Sequence, residues 1–273
     1  MGIAAHMGRS RSNDIRDNEV IMIGLNLGCG RAQFPTTLDN PFTKHIAWAL
    51  PMFCPEALDH GAIWDNVDRQ PSPGVNRVVN LFRYPFVDSQ RKGFESDHYD
   101  VIWCGHIAEH IPHAIKLNHA GDSILCAMND RDEDGWFAFF YECWRVLKPG
   151  GRLNILSPYG ISVGGMTDPT HTRYLTPGSF SYFQPNPNAP FDYGIPFAFE
   201  MDFEQNTPAG SMRLVDDAAT LSREMAALGA QGHTEQSPAI KDMANNMEIF
   251  TRHHVGYIEE FCYRFVKTYP PTR

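Results

Sequence analysis

Val20–Gly30 reads VIMIGLNLGCG, an apolar run through Leu27 that stops at Gly28-Cys29-Gly30. A strand ending in G-x-G brings bare main chain against a ligand, because glycine adopts dihedrals closed to other residues and has no side chain to block the approach. Arg31-Ala32-Gln33-Phe34 follow, so the third glycine of the dinucleotide fingerprint is missing and a pyrophosphate-binding helix start is not specified. The other reading of this turn is a tight loop with no ligand.

Downstream, strand and helix signals alternate, which predicts a parallel sheet flanked by helices. Thr43–Leu50 (TKHIAWAL) has helical spacing, and Ala62–Asp68 (AIWDNVD), Arg77–Leu81 (RVVNL) and Tyr99–Cys104 (YDVIWC) read as strands. A helix is expected from His106. A stronger one is expected from about Gly135 to Leu147, ended by Lys148-Pro149-Gly150-Gly151. Arg152–Ser157 (RLNILS), Phe197–Phe203 (FAFEMDF) and Tyr257–Thr268 complete the strands, with helices expected over 216–228 and 239–251. The Gly- and Pro-rich stretch 160–196 is too long for an ordinary connection, and such loops are usually lids or binding loops.

The chain has 273 residues, 42% of them hydrophobic, with 23 Lys and Arg against 32 Asp and Glu for a net charge of −9. That balance predicts a globular protein and argues against a nucleic-acid partner, whose phosphates reward clustered cations. The sequence shows neither an apolar run long enough to span a membrane nor an export signal, so the expected location is cytoplasmic. Six scattered cysteines without a C-x-x-C pair fit buried reduced thiols. Residues 1–18 read as a flexible leader that includes a cloning scar at Met1–His6. Residues 19–273 read as one domain with insertions at about 39–60, 111–134, 160–196 and 206–251.

A carboxylate at the end of the second strand of a doubly wound sheet can accept both hydroxyls of a ribose. Asp68 stands there and Asp65 is its rival. The 38 residues from Gly30 to Asp68 exceed the usual ~20, which is why an insertion over 39–60 is assumed.

Five segments taken in order resemble the class I S-adenosylmethionine-dependent methyltransferases: LNLGCG (25–30), NVD (66–68), VVNLFRYPF (78–86), HYDVIWCGHIAEHI (98–111) and ECWRVLKPGGRLNILSP (142–158). The resemblance implies an α/β, Rossmann-like doubly wound, mostly parallel seven-stranded sheet with an antiparallel last strand. It implies S-adenosylmethionine as cofactor, with Gly28, Cys29 and Gly30 beside its amino-acid part. Asp68 would then take the ribose, Asn80 and Leu81 the adenine, and His106 would lie close to the sulfonium. The long spacer before Asp68, and Asn where Asp is common at Asn80, are departures that bear on the ribose and adenine contacts.

His106-Ile107-Ala108-Glu109-His110 spells H-x-x-E-H, a spacing that can place two zinc ligands and a catalytic Glu on a helix. It directly follows an apolar strand, at a place where the resemblance puts cofactor-lining residues. No metal is therefore expected, and His110 is read as packed or solvated. After the fifth strand, Asp168-Pro169-Thr170-His171-Thr172-Arg173-Tyr174 sits where open sheets place a second ligand. It is similar to a D-P-T-H segment of some phage-type methyltransferase-like proteins. His171 or His106 is the candidate base for a hydroxyl acceptor, with Tyr159, Asp168 and Arg173 orienting the substrate. A turn held by Asp168, with His171 merely hydrogen-bonded, is the other reading. The expected activity is methyl transfer to an O or N nucleophile of a small molecule. A nucleic-acid methyltransferase and a non-catalytic S-adenosylmethionine-binding protein are the alternatives, and the oligomeric state is left open.

Overall fold

A computed structural model describes residues 21–113, 116–117, 135–185, 195–202, 210–214 and 258–269, with isolated helical positions at 223, 227, 230 and 241. The leader, most of 111–134 and most of 206–251, with the helices expected there, lie outside the described residues. So do Cys126 and 186–194.

The strands in chain order are β1 (Ile23–Leu27), β2 (Ile63–Asp68), β3 (Arg77–Val78), β4 (Arg83–Tyr84), β5 (Tyr99–Gly105), β6 (Lys116–Leu117), β7 (Leu147–Pro158), β8 (Ala198–Met201), β9 (Gly210–Leu214) and β10 (Ile258–Thr268). Three α-helices are described: α1 (Leu50–Phe53), α2 (Gly135–Val146) and α3 (Val163–Thr167). The main sheet runs β3-β2-β1-β5-β7-β10-β8, with β9 also pairing β10, while β4 and β6 form a separate pair. From β3 to β7 every pairing is parallel; β10 is antiparallel to β7, β8 and β9. This is the expected Rossmann-like, mostly parallel seven-strand sheet with its antiparallel strand, and β9 is an eighth strand the sequence did not suggest. The chain winds outward from β1 through β2 to β3, then returns to place β5 on the other side of β1. The switch in winding direction therefore falls between β1 and β5, whose carboxyl ends are Leu27 and Gly105.

Both faces of the sheet are covered, as a parallel sheet requires. On β5, Ile102 and Cys104 enter one core, while Val101 and Trp103 enter the other. The first core takes Trp136, Phe139, Phe140 and Cys143 of α2, at the three-to-four spacing that buries one stripe of a helix. The second core is filled by Phe34, Ile46, Leu50 and Phe53 from the long segment ahead of β2. The insertion expected at 39–60 is thus a packed layer.

Local structure departs from expectation in four places. Thr43–Leu50 forms a chain of short turns, such as Ile46 N to Thr43 O (3.0 Å) and Ala49 N to Ile46 O (3.0 Å), and α1 begins only at Leu50. The helix expected from His106 is a single 3₁₀ turn, Ala108–His110, followed by Ile111-Pro112; the residue before a proline is pushed towards extended backbone. β3 is shorter than Arg77–Leu81, and β7 begins at Leu147, so the K-P-G-G turn is part of the strand's start. Among the described residues no helix is long and apolar enough to cross a membrane.

Two buried asparagines fix the chain after the glycine turn. Asn66 on β2 accepts from Asn26 Nδ2 (3.0 Å) and Phe34 N (2.7 Å) and donates to Phe34 O (2.6 Å), while Asn26 also donates to Ala32 O (2.8 Å). Asn66→Ala would take these partners from the Phe34 N–H and C=O and one of two from Asn26 Nδ2, and is expected to lower unfolding stability by about 2–4 kcal/mol in urea titration. A loss under about 0.5 kcal/mol would show that the pair does not hold this loop.

Candidate active site at the strand switch point

Gly28 and Gly30 leave β1 with φ of +64° and +48°, in the left-handed region where a side chain is strained. Cys29 N–H donates to Val67 O (2.9 Å), tying the turn to β2. A Cβ on Gly28 would lie 2.0 Å from Ile107 Cδ1, whereas one on Gly30 would meet nothing within 4 Å. The main chain at Gly30 is therefore open, and that at Gly28 is closely backed.

Asp68 ends β2 and accepts from Gly30 N (2.8 Å) through Oδ2 and from Gln70 N (2.8 Å) through Oδ1. Each oxygen retains acceptor capacity after one such bond. Asp65 instead accepts from the Tyr99 hydroxyl (2.6 Å), so of the two acids it is Asp68 that meets the glycine turn. Gly28, Asp68, Asn80, Leu81, Phe82 and His106 line one cavity of about 340 Å³, together with Ile107 and His110. Asn80 Oδ1 accepts from Phe82 N (3.1 Å), which leaves its amide nitrogen out of that bond.

His106 is the first residue past β5 and has φ +56°, an uncommon conformation for a residue with a side chain. Its N–H donates to Leu156 O (2.8 Å), anchoring it between β5 and β7. Nδ1 lies 3.5 Å from Glu109 Oε1 and Nε2 lies 3.4 Å from Glu260 Oε1. His106 borders three cavities at once. One is the cavity just described, and the second, about 330 Å³, is walled by Gly28, Cys29, Gly30, Arg31 and His45. The third, about 280 Å³, is lined by Glu109, His110, Asp168, His171, Glu259 and Glu260.

Of the residues expected on the substrate side, Asp168 and His171 line this third cavity. Tyr159 packs against the main core, and Arg173 directs its guanidinium to Ile111 O (2.9 Å) and over the Trp136 ring; neither lines these three cavities. The D-P-T-H segment is joined to the turn after β5 by bonds from Thr172 N (2.9 Å) and Arg173 N (3.1 Å) to Glu109 O. Asp168 accepts from the Thr170 hydroxyl (2.6 Å) and N–H (2.8 Å), so the turn expected as the alternative reading is present. Those bonds, with His171 and His110 nearby, hold its carboxyl below the usual carboxylate range and keep it anionic at neutral pH. Glu259 and Glu260 carry no motif that marks them in the sequence; the antiparallel return of β10 beside β7 brings them to the cleft.

Cys29 is buried, and burial, followed by the Asp68 charge, pushes its thiol up to about 12. It serves the turn through its main chain and is no nucleophile. Cys54, Cys104, Cys143 and Cys262 are likewise free and buried. Five of the six cysteines are accordingly expected to resist a thiol reagent at pH 8 until the chain is denatured. Rapid labelling of two or more in the native protein would contradict that burial.

No protein-family model and no curated protein matches the sequence. Among solved structures, the chain is similar to a SAM-dependent methyltransferase from Archaeoglobus fulgidus, at 15% identity over 91% of this chain and 87% of that one, with a TM-score of 0.43. It is also similar to an S-adenosylmethionine-dependent methyltransferase from Mesorhizobium loti, at 14% identity over 90% and 91%, with a TM-score of 0.37. At such scores the likeness decides nothing by itself. The fold rests on the strand order, and the site on its own geometry.

Proposed function

We propose that this protein is an S-adenosylmethionine-dependent methyltransferase acting on an oxygen or nitrogen nucleophile of a small molecule. The observation that carries this reading is the convergence of three features at the strand switch point: the open glycine turn, the Asp68 carboxylate bonded to it, and His106. Crevices at that place in open parallel sheets are where such folds bind ligands.

When bound, S-adenosylmethionine supplies an electrophilic methyl carbon on a sulfonium. In this reading the amino-acid part lies against Gly28–Gly30, Asp68 accepts from the ribose hydroxyls, and Asn80 and Leu81 border the adenine. The acceptor's lone pair forms the new bond to the methyl carbon as the carbon–sulfur bond breaks, its electrons staying on sulfur. Alignment and exclusion of water supply most of the acceleration. Where the acceptor is a hydroxyl, its proton passes to a ring nitrogen of His106, whose Nδ1 and Nε2 lie beside the Glu109 and Glu260 carboxylates. The net acidity of the chain and of the third cavity supports a small acceptor over a nucleic acid.

Calorimetric titration of the full chain with S-adenosylmethionine is expected to show saturable one-to-one binding. A methyl-release assay over pooled hydroxyl and amine acceptors is then expected to show turnover. Donor binding without turnover on any pool would leave a binding protein, and no donor binding would overturn the proposal.

A further inference from the structure

We infer that Glu109, His110 and His171 form a binding site for a divalent transition-metal ion. One ligand atom from each of the three lies within 4.8 Å of the others, and all three line the same cavity. The H-x-x-E-H spacing set aside above would pair His106 with His110. The folded chain instead pairs the adjacent Glu109 and His110 with a histidine some sixty residues downstream.

Both imidazoles are oriented for the task. His110 Nδ1 faces Thr170 O (3.2 Å) and the Thr170 hydroxyl (3.1 Å), and His171 Nδ1 faces Gly165 O (2.9 Å). A backbone carbonyl at Nδ1 holds the proton there and leaves the Nε2 lone pair for a metal, which is how metal-ligating histidines are usually fixed. Glu109 is 2% exposed, and its Oε2 accepts from the Ser157 hydroxyl (3.1 Å). Its Oε1 makes no hydrogen bond among the described residues, an unusual state for a buried carboxylate oxygen, and has His106 Nδ1 beside it at 3.5 Å. Asp168 Oδ2 lies 3.7 Å from His171 Nε2 and adds a second carboxylate at the rim.

The set is also preformed. The two bonds from the Thr172 and Arg173 amides to Glu109 O clamp the loop that carries His171 against the turn that carries Glu109 and His110. Three atoms mutually within 4.8 Å lie no more than about 2.8 Å from a common centre, so ligand distances of about 2.0–2.2 Å need each donor to move inward by less than about 1 Å. Two imidazoles with one or two carboxylates suit zinc and its first-row neighbours; magnesium and calcium want more oxygen donors. A metal here would employ His171 as a ligand, which assigns the base of the proposed reaction to His106.

The site is tested on the full chain, stripped with a chelator and titrated with zinc chloride alone, with cobalt(II) absorption as an independent report of coordination. One ion per chain is expected at this site. Glu109→Gln, His110→Ala and His171→Ala are each expected to weaken binding about 100-fold and to abolish the cobalt band. His98→Ala, outside the cluster, is expected to bind as the parent does. Circular dichroism establishes that each variant is folded, and the near-isosteric Glu109→Gln provides a decisive comparison if a histidine variant is not. Absence of saturable zinc binding, or parental affinity in Glu109→Gln and in the folded histidine variants, would overturn the site. The titration uses no methyl donor, so its failure would leave the methyltransferase reading standing, and failure of that reading would leave the metal site standing.

Discussion

Gly28→Ala is expected to weaken binding of S-adenosylmethionine by about 100-fold, or about 2.7 kcal/mol, while the protein remains folded. The added Cβ would sit 2.0 Å from Ile107 Cδ1, at a residue whose φ of +64° is already unfavourable for a side chain. The overlap can be relieved in two ways. Ile107 can move, and it lines the same cavity as Asp68, Asn80 and Leu81. Alternatively the turn can leave the left-handed region, which takes Gly30 N–H away from Asp68. Either outcome spoils the surface proposed to hold the donor. Gly30→Ala separates overlap with the protein from overlap with the donor, because its Cβ would meet no protein atom within 4 Å; it should cost about 1 kcal/mol of stability and still weaken donor binding. Ile107→Ala added to Gly28→Ala should recover part of the lost binding. Parental affinity in the Gly28 single variant, measured by calorimetry, would refute the cradle.

Asp68→Ala is expected to cost about 2–4 kcal/mol of donor binding, a factor of about 30 to 1,000. The substitution removes the acceptor for Gly30 N–H and, in the proposed complex, the charged acceptor for the ribose hydroxyls. Asp65→Ala provides the contrast, since Asp65 is bonded to the Tyr99 hydroxyl and should affect stability more than affinity. Equal losses of affinity in the two variants would show that the carboxylate at the end of β2 has no special part in binding.

The sheet was legible because burial on both faces writes itself into short apolar runs. VIMIGLNL, AIWDNVD, YDVIWC and RLNILS all became strands, with ends displaced by a residue or a few. The glycine turn was equally readable, since only glycine suits φ of +64° against a backing isoleucine. What the sequence concealed were features decided by contacts between distant segments. TKHIAWAL has helical spacing, yet its apolar residues are satisfied by packing as turns onto Trp64, Trp103 and Cys262. β9 has no periodicity strong enough to announce it and exists because β10 offers an edge. At the site, Gly28, Asp68, Asn80, Leu81 and His106 do share one cavity. Residue type and nearness in sequence single out Tyr159 and Arg173, but type does not reveal which way a side chain turns, and Arg173 turns to the carbonyls of the Ile111-Pro112 turn. The partnership of His110 with His171 was hidden because it depends on a loop folding back across sixty residues.

The position of His106 on the walls of three adjoining compartments has a thermodynamic consequence. An occupant that turns this imidazole, or changes its charge, alters the fit of whatever sits in the neighbouring compartment. Linkage makes that effect reciprocal: the factor by which the first occupant changes the second's dissociation constant equals the factor by which the second changes the first's. Ordered or synergistic loading of the cleft would thus follow from one shared side chain, with no domain movement needed to transmit it.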